Sequence, residues 1–164
     1  MAVPVTAFFA GIHALFYTGL SLLVVSHRVR TKVSVGDGTD KILKVIFDAA
    51  SSQDHKAPFT WEQMAERYAP LGKAIRTHGN FSEYVPFALV LLAFLELNKS
   101  VSHNALVYAG LALLVSRIAH FIGLHLFKRP GPNPFRFIGA VGTFFLLAVL
   151  GFLLLSSSSV PALH

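Results

Sequence analysis

A chain of 164 residues that is 54% hydrophobic and only 13% charged, with a mean hydropathy of +0.59, is not a soluble domain, since those carry about 25% charged residues. It has no cysteine, so redox compartment cannot be read from disulfides, and any thiol chemistry must use a thiol carried by a substrate. The net charge of +6 and pI near 9.9 would suit nucleic acid, but the basic residues form no soluble patch interleaved with aromatics, which excludes that partner.

The first expected membrane span is Thr6 to Val25, which carries no charge. It lacks a basic leader and is too long for the apolar part of a cleaved signal peptide, so it reads as a retained span. The connection that follows, Ser26 to Lys73, is long for a small helix bundle. Gly36-Asp37-Gly38 is a turn signal, and Asp40 to Ala50 reads as a short helix with Ile42, Leu43, Val45, Ile46 and Phe47 on a rough apolar face. Ser51 to Pro58 reads as a flexible break. Thr60 with Gln63 resembles a capping box, which starts a second short helix from Trp61 to Tyr68. The whole loop suits an interfacial or cytosolic cap, with Trp61 and Tyr68 at headgroup level.

The second span is the unusual one. Its apolar run, Val85 to Leu95, is about half of the roughly 20 residues that a helix needs to cross a bilayer core of about 30 Å. It can span only by extending back through Glu83, Asn80 and Arg76, giving Arg76 to Glu96. Each charge at membrane depth costs on the order of 2.5–3.5 kcal/mol, which points to a polar site. The third span, Ala105 to Phe127, is interrupted by Arg117, His120 and His125. After the turn Pro130-Gly-Pro-Asn-Pro134, the fourth runs from Pro134 to Leu155, and Ser156 to Ser159 marks its polar end. The expected fold is an all-α, four-helix transmembrane bundle forming a single domain over residues 1–164, with no internal repeat.

Orientation follows from the basic residues. Four spans put both termini on one side. Of the 14 lysines and arginines, all but Lys99 and Arg117 belong to the first and third loops or the helix ends beside them. The positive-inside rule then makes those loops cytosolic and the termini periplasmic or lumenal.

On a helix, Arg76, Asn80 and Glu83 are spaced i, i+4, i+7 and fall within about 60° of one another. Tyr84 lies beside this stripe. A cation, an amide and an anion on one face suit a zwitterionic, peptide-like ligand. The same pattern also suits an interhelical salt bridge, Glu83 with Arg117, because an arginine inside a span needs an anion, either Glu83 or a bound carboxylate. His120 shares a similar face with Arg117. His13, His27, His55, His103 and His125 receive no role, and no spacing of histidines suits a metal. Arg136, at the start of the fourth helix, reaches the cytosolic mouth of the bundle or snorkels to the headgroups, as do Arg28 and Arg30 at the end of the first.

The run Arg76-x-x-x-Asn80-x-x-Glu83-Tyr84-x-Pro86, with Ala74-Ile75 before it and His78-Gly79 inside it, resembles the signature of the MAPEG family, the membrane-associated proteins in eicosanoid and glutathione metabolism. Arg117-x-x-His120 and Arg136-x-x-Gly139 fit the same pattern. Gly36-Asp37-Gly38 and Glu96-Leu-Asn98 are similar to the small bacterial-type members, and residues 39–73 look longer than the link in those members. The resemblance implies a homotrimer in a bacterial inner membrane or the endoplasmic reticulum, with glutathione as co-substrate held between protomers near the cytosolic side. It implies Arg28, Arg76, Asn80, Glu83, Tyr84, Arg117 and His120 as glutathione-binding residues and Arg136 as the catalytic group beside the thiolate. His120 stands where eicosanoid members have a tyrosine, and Leu124 where some have a second one. The implied second substrate is a lipophilic electrophile or a lipid hydroperoxide. The other classes are a non-catalytic lipid-binding scaffold of the same family, and a small transporter or proton relay using Arg117, Glu83 and His120.

Overall fold

The computed structural model describes residues 2–51, 61–127 and 133–157. Among these it contains five helices and no strand: α1 (Pro4–Thr31), α2 (Thr39–Ser51), α3 (Trp61–Leu97), α4 (His103–His125) and α5 (Pro134–Ser157). Four of them, α1, α3 over Glu66–Leu97, α4 and α5, are long and apolar enough to cross a membrane. The all-helical, four-span reading therefore holds, and α2 is the short helix expected in the first loop. The break expected over Ser51 to Pro58 lies, beyond Ser51, outside the described residues. So do Thr60 of the expected capping box, most of the Pro-rich turn before α5, and Ser158 and Ser159 of the polar end.

The chain forms two compact units, residues 1–17 with 80–164 and residues 18–79. In the first, small residues set the packing. A Cβ on Gly139 would lie 2.5 Å from the His120 main-chain nitrogen, and one on Gly123 would lie 2.4 Å from that of Arg136. Glycine at these two points lets α4 and α5 approach main chain to main chain, a common device between helices in lipid. Phe9 of α1 occupies the corresponding space over Gly110 of α4. Phe16 then packs edge-on against both Phe81 and Phe121, at centroid distances of 5.4 and 6.0 Å.

The helix starts are capped in three ways. Ser102 accepts from the Ala105 N–H at the start of α4, and Asn133 Oδ1 accepts from the Phe135 N–H at the start of α5. At the start of α1, Pro4 occupies the first turn, where its missing N–H costs nothing. The next two donors, the Val5 and Thr6 N–H groups, are met by the Glu96 carboxylate of α3 at 2.9 and 2.8 Å. A side chain some ninety residues away thus serves as the cap.

In the second unit, α1 ends at Thr31, and Lys32 just beyond it, with φ of +54°, reverses the chain while Val33 N–H bonds back to Arg28 O. Gly36 and Gly38 have φ of +74° and +94°, the turn anticipated for Gly36-Asp37-Gly38. Gly38 is doubly constrained, because a Cβ there would meet the Tyr68 ring at 2.5 Å. Val33, Met64, Tyr68 and Leu71 form a buried cluster, with Ile42 and Val45 of α2 and Ile75 packed against it. Burying a side chain such as Leu71 contributes about 1.5–3 kcal/mol.

This cluster corrects two expectations. The separate helix Trp61 to Tyr68 does not exist: it is the beginning of α3, which continues through Pro70 and Pro86. Proline ordinarily ends or kinks a helix. Here Met64, Tyr68, Leu71 and Ile75 keep one helical face buried on both sides of Pro70, and that packing carries the helix onward. Tyr68 is therefore buried rather than placed at the headgroups. The Trp61 side chain lies outside the described residues.

Candidate functional site

Three helices of the first unit converge on Arg117. Its side chain is 3% exposed, well inside α4. Nη1 donates to Asn80 Oδ1 of α3 at 2.7 Å, and Nη2 donates to Gly139 O of α5 at 2.9 Å and to Thr143 Oγ1. The Thr143 hydroxyl donates in turn to Gly139 O at 2.9 Å. A guanidinium with donors in a rigid fork suits this three-oxygen cradle, which an ammonium would not fill.

Of the two anions considered for Arg117, Glu83 does not pair with it; three neutral oxygens take the guanidinium instead. Glu83 is exposed on α3 and makes no hydrogen bond or ion pair among the described residues. Tyr84, beside it, is half-buried with its ring edge-on to Phe144 at 5.2 Å. His120 is buried, its main chain against Gly139, and its Nδ1 has no partner among the described residues. Arg117 Nε and His13 Nε2 are likewise buried without a partner there. His13, given no role from sequence, uses Nδ1 on Phe9 O at 2.7 Å. Arg136 stands in the first turn of α5, its main chain close to Gly123 and its side chain exposed.

This unit thus brings Asn80 and Arg117 into direct contact. The Asn80 carbonyl is spent on Arg117, which leaves its amino group as the donor it can offer a ligand carbonyl. Arg28 and Arg76 belong to the other unit. Arg76 is exposed. Arg28 Nη1 donates to Ser34 O at 2.7 Å and Val33 O at 3.5 Å, holding the turn after α1. Gly139 enters the sequence reading only as the end of the Arg136-x-x-Gly139 pattern, with no role given, and Thr143 does not enter it. The available signal was their i, i+4 spacing, which puts a hydroxyl and a bare main chain on one face of an otherwise apolar span.

The profile of the MAPEG family matches residues 6–156. Inner membrane protein YecN of Escherichia coli strain K12 is 30% identical over 121 residues, which is 74% of this chain and 70% of the relative. The protein of the same name from Escherichia coli O6:H1 strain CFT073 matches with the same figures. No solved structure shows a significant match.

Proposed function

This chain belongs to the MAPEG family, and from that premise we propose that it is a membrane-bound glutathione transferase or peroxidase-like enzyme. The observation that carries the reading is Glu83, a carboxylate within a membrane-spanning helix that is exposed and has no partner among the described residues, one helical turn from Asn80. A charge facing lipid is costly. A glutathione ammonium held there, between this protomer and a neighbour in a homotrimer, would remove that cost. The Asn80 amino group then reads a peptide carbonyl, and Arg117 acts by fixing Asn80 rather than by meeting the ligand first. Tyr84 and His120 line the same part of the unit. The family resemblance adds Arg28 and Arg76 for the glutathione carboxylates.

A free thiol has a pKa near 8.5, and lowering it by about 1.5 units requires roughly 2 kcal/mol. One hydrogen bond from the Arg136 guanidinium, worth about 1.5–3 kcal/mol, is sufficient. The positive first turn of α5 acts in the same direction. The thiolate sulfur bonds to an electrophilic carbon from the bilayer as the leaving group departs with its electron pair. With a lipid hydroperoxide it bonds to the distal oxygen while the O–O bond breaks and the lipid alkoxide leaves to be protonated. A second glutathione thiol then displaces water from the sulfenic acid to give glutathione disulfide. No protein nucleophile is required. The same reading places the protein in a bacterial inner membrane, with the two basic loops in the cytosol and both termini in the periplasm.

Titration of glutathione into the detergent-solubilised protein by calorimetry, with Arg76→Ala as control, tests the proposal. Micromolar to low-millimolar binding lost in the variant supports it. A folded trimer that binds no glutathione overturns it in favour of a lipid-binding scaffold. Arg136→Ala should hold glutathione within several-fold yet lose most of the thiolate absorbance near ~240 nm. Undiminished absorbance removes Arg136 from the activating role.

A further inference from the structure

Helix α2 has more apolar surface than its chain uses. Ile42 and Val45 pack against the cluster of Val33, Met64, Tyr68 and Leu71. At 100° per residue, Leu43, Ile46, Phe47 and Ala50 form a second stripe about 100° wide beside the first. None of its residues is buried, and Phe47 is 67% exposed. The remaining arc carries Asp40, Lys41, Lys44 and Asp48. The helix is therefore divided into three sectors: one against protein, one apolar and open, one charged.

Its place in the chain says what covers the open sector. α2 begins just after a membrane-spanning helix ends, and Lys41 Nζ donates to Lys32 O at that exit point. Large apolar side chains are likewise exposed at Leu22, Val25 and Val29 of the spanning helix α1 and at Val35 of the connector, as they are at Leu43, Ile46 and Phe47. Arg30 and Lys32, both exposed, provide positive charge where α1 ends. Three large side chains offer far less than the roughly 800 Å² per partner that a stable protein interface buries. They match the depth of the headgroup boundary, into which an amphipathic helix sinks by about 5–10 Å.

We propose that α2 is an in-plane membrane helix. Leu43, Ile46, Phe47 and Ala50 enter the headgroup–acyl boundary of the bilayer that the chain spans, Arg30 and Lys32 meet its anionic phosphates, and the charged arc with Lys44 faces water. The absence of cysteine makes the test direct. Single variants Ile46→Cys, Phe47→Cys and Lys44→Cys of the full chain, labelled with bimane, are placed in phosphatidylglycerol–phosphatidylcholine nanodiscs. Lipids carrying a shallow nitroxide should quench the labels at positions 46 and 47 on the order of threefold more than the label at 44, with iodide showing the reverse order. Equal quenching at all three positions overturns the proposal. Protection of positions 46 and 47 from both quenchers also overturns it, and assigns the stripe to a protein partner. The unlabelled chain guards against disturbance by the probes. Its α2 amides should exchange on the order of tenfold more slowly in phosphatidylglycerol nanodiscs than in purely zwitterionic ones. Equal exchange overturns the role given to the phosphates.

Discussion

Glu83 and Glu96 are the same residue type on the same helix, and their surroundings could hardly differ more. Glu96 accepts two main-chain hydrogen bonds from the start of α1, whereas Glu83 meets nothing among the described residues of its own chain. Arg117 belongs with Glu96, since three oxygens on two other helices hold it. Charges satisfied within the chain hold the bundle together. Glu83, left open among the described residues, has no such structural use. The contrast separates residues that share a polar character into those that the fold uses and those that it leaves open.

Arg117→Ala should break this comparison most severely if it is wrong. It strands the Asn80 carbonyl and opens a cavity among three helices, so we expect a loss of about 3 kcal/mol in unfolding from mixed micelles. A stability loss below about 0.5 kcal/mol would mean that the cradle is not structural. Glu83→Gln should do the opposite. Glutathione affinity should fall about tenfold, or about 1.4 kcal/mol, with unfolding of the monomer unchanged. Unaltered affinity in a folded trimer takes Glu83 out of the site.

Glu96→Gln sharpens the contrast on the same helix. Glutamine retains one acceptor, so a cost of about 1 kcal/mol in stability is expected, with glutathione affinity unchanged. A change in affinity without a change in stability would erase the distinction between the two glutamates. The smallest effect belongs to Asp37, outside the membrane. Its carboxyl accepts from Thr39 Oγ1 and the Thr39 N–H at 2.7 and 3.0 Å, and these bonds hold its pKa below the ordinary carboxylate value. A depressed folded pKa means that the stabilisation is fully present above the unfolded value and is lost as pH falls through the folded one. Amide exchange at the start of α2 should therefore quicken on acidification below about pH 4, and Asp37→Asn should remove that pH dependence.

The helices were legible because membrane spans announce themselves by length and apolarity, and α2 because its apolar residues repeat with helical spacing. The α3 boundary was not legible: Pro70 reads as punctuation, and only the burial of Tyr68 and Leu71 under α2 overrides it. The polar stripe was visible, since a short apolar run forced Glu83 and Asn80 into the span. The partner of Arg117 was hidden. Sequence suggests pairing opposite charges, but here the Asn80 side-chain oxygen, the Gly139 main-chain carbonyl and a threonine hydroxyl complete the shell. Glu96 was noticed as part of a motif, while its contact with Val5 and Thr6 depends on which helix ends lie side by side.

That contact also bears on how the protein is made. α1 leaves the ribosome long before Glu96 exists, so its leading amides enter the membrane without their final acceptor. They must rely on water or lipid headgroups until α3 has been threaded across. The first span is thus provisional at birth, and arrival of the second completes it.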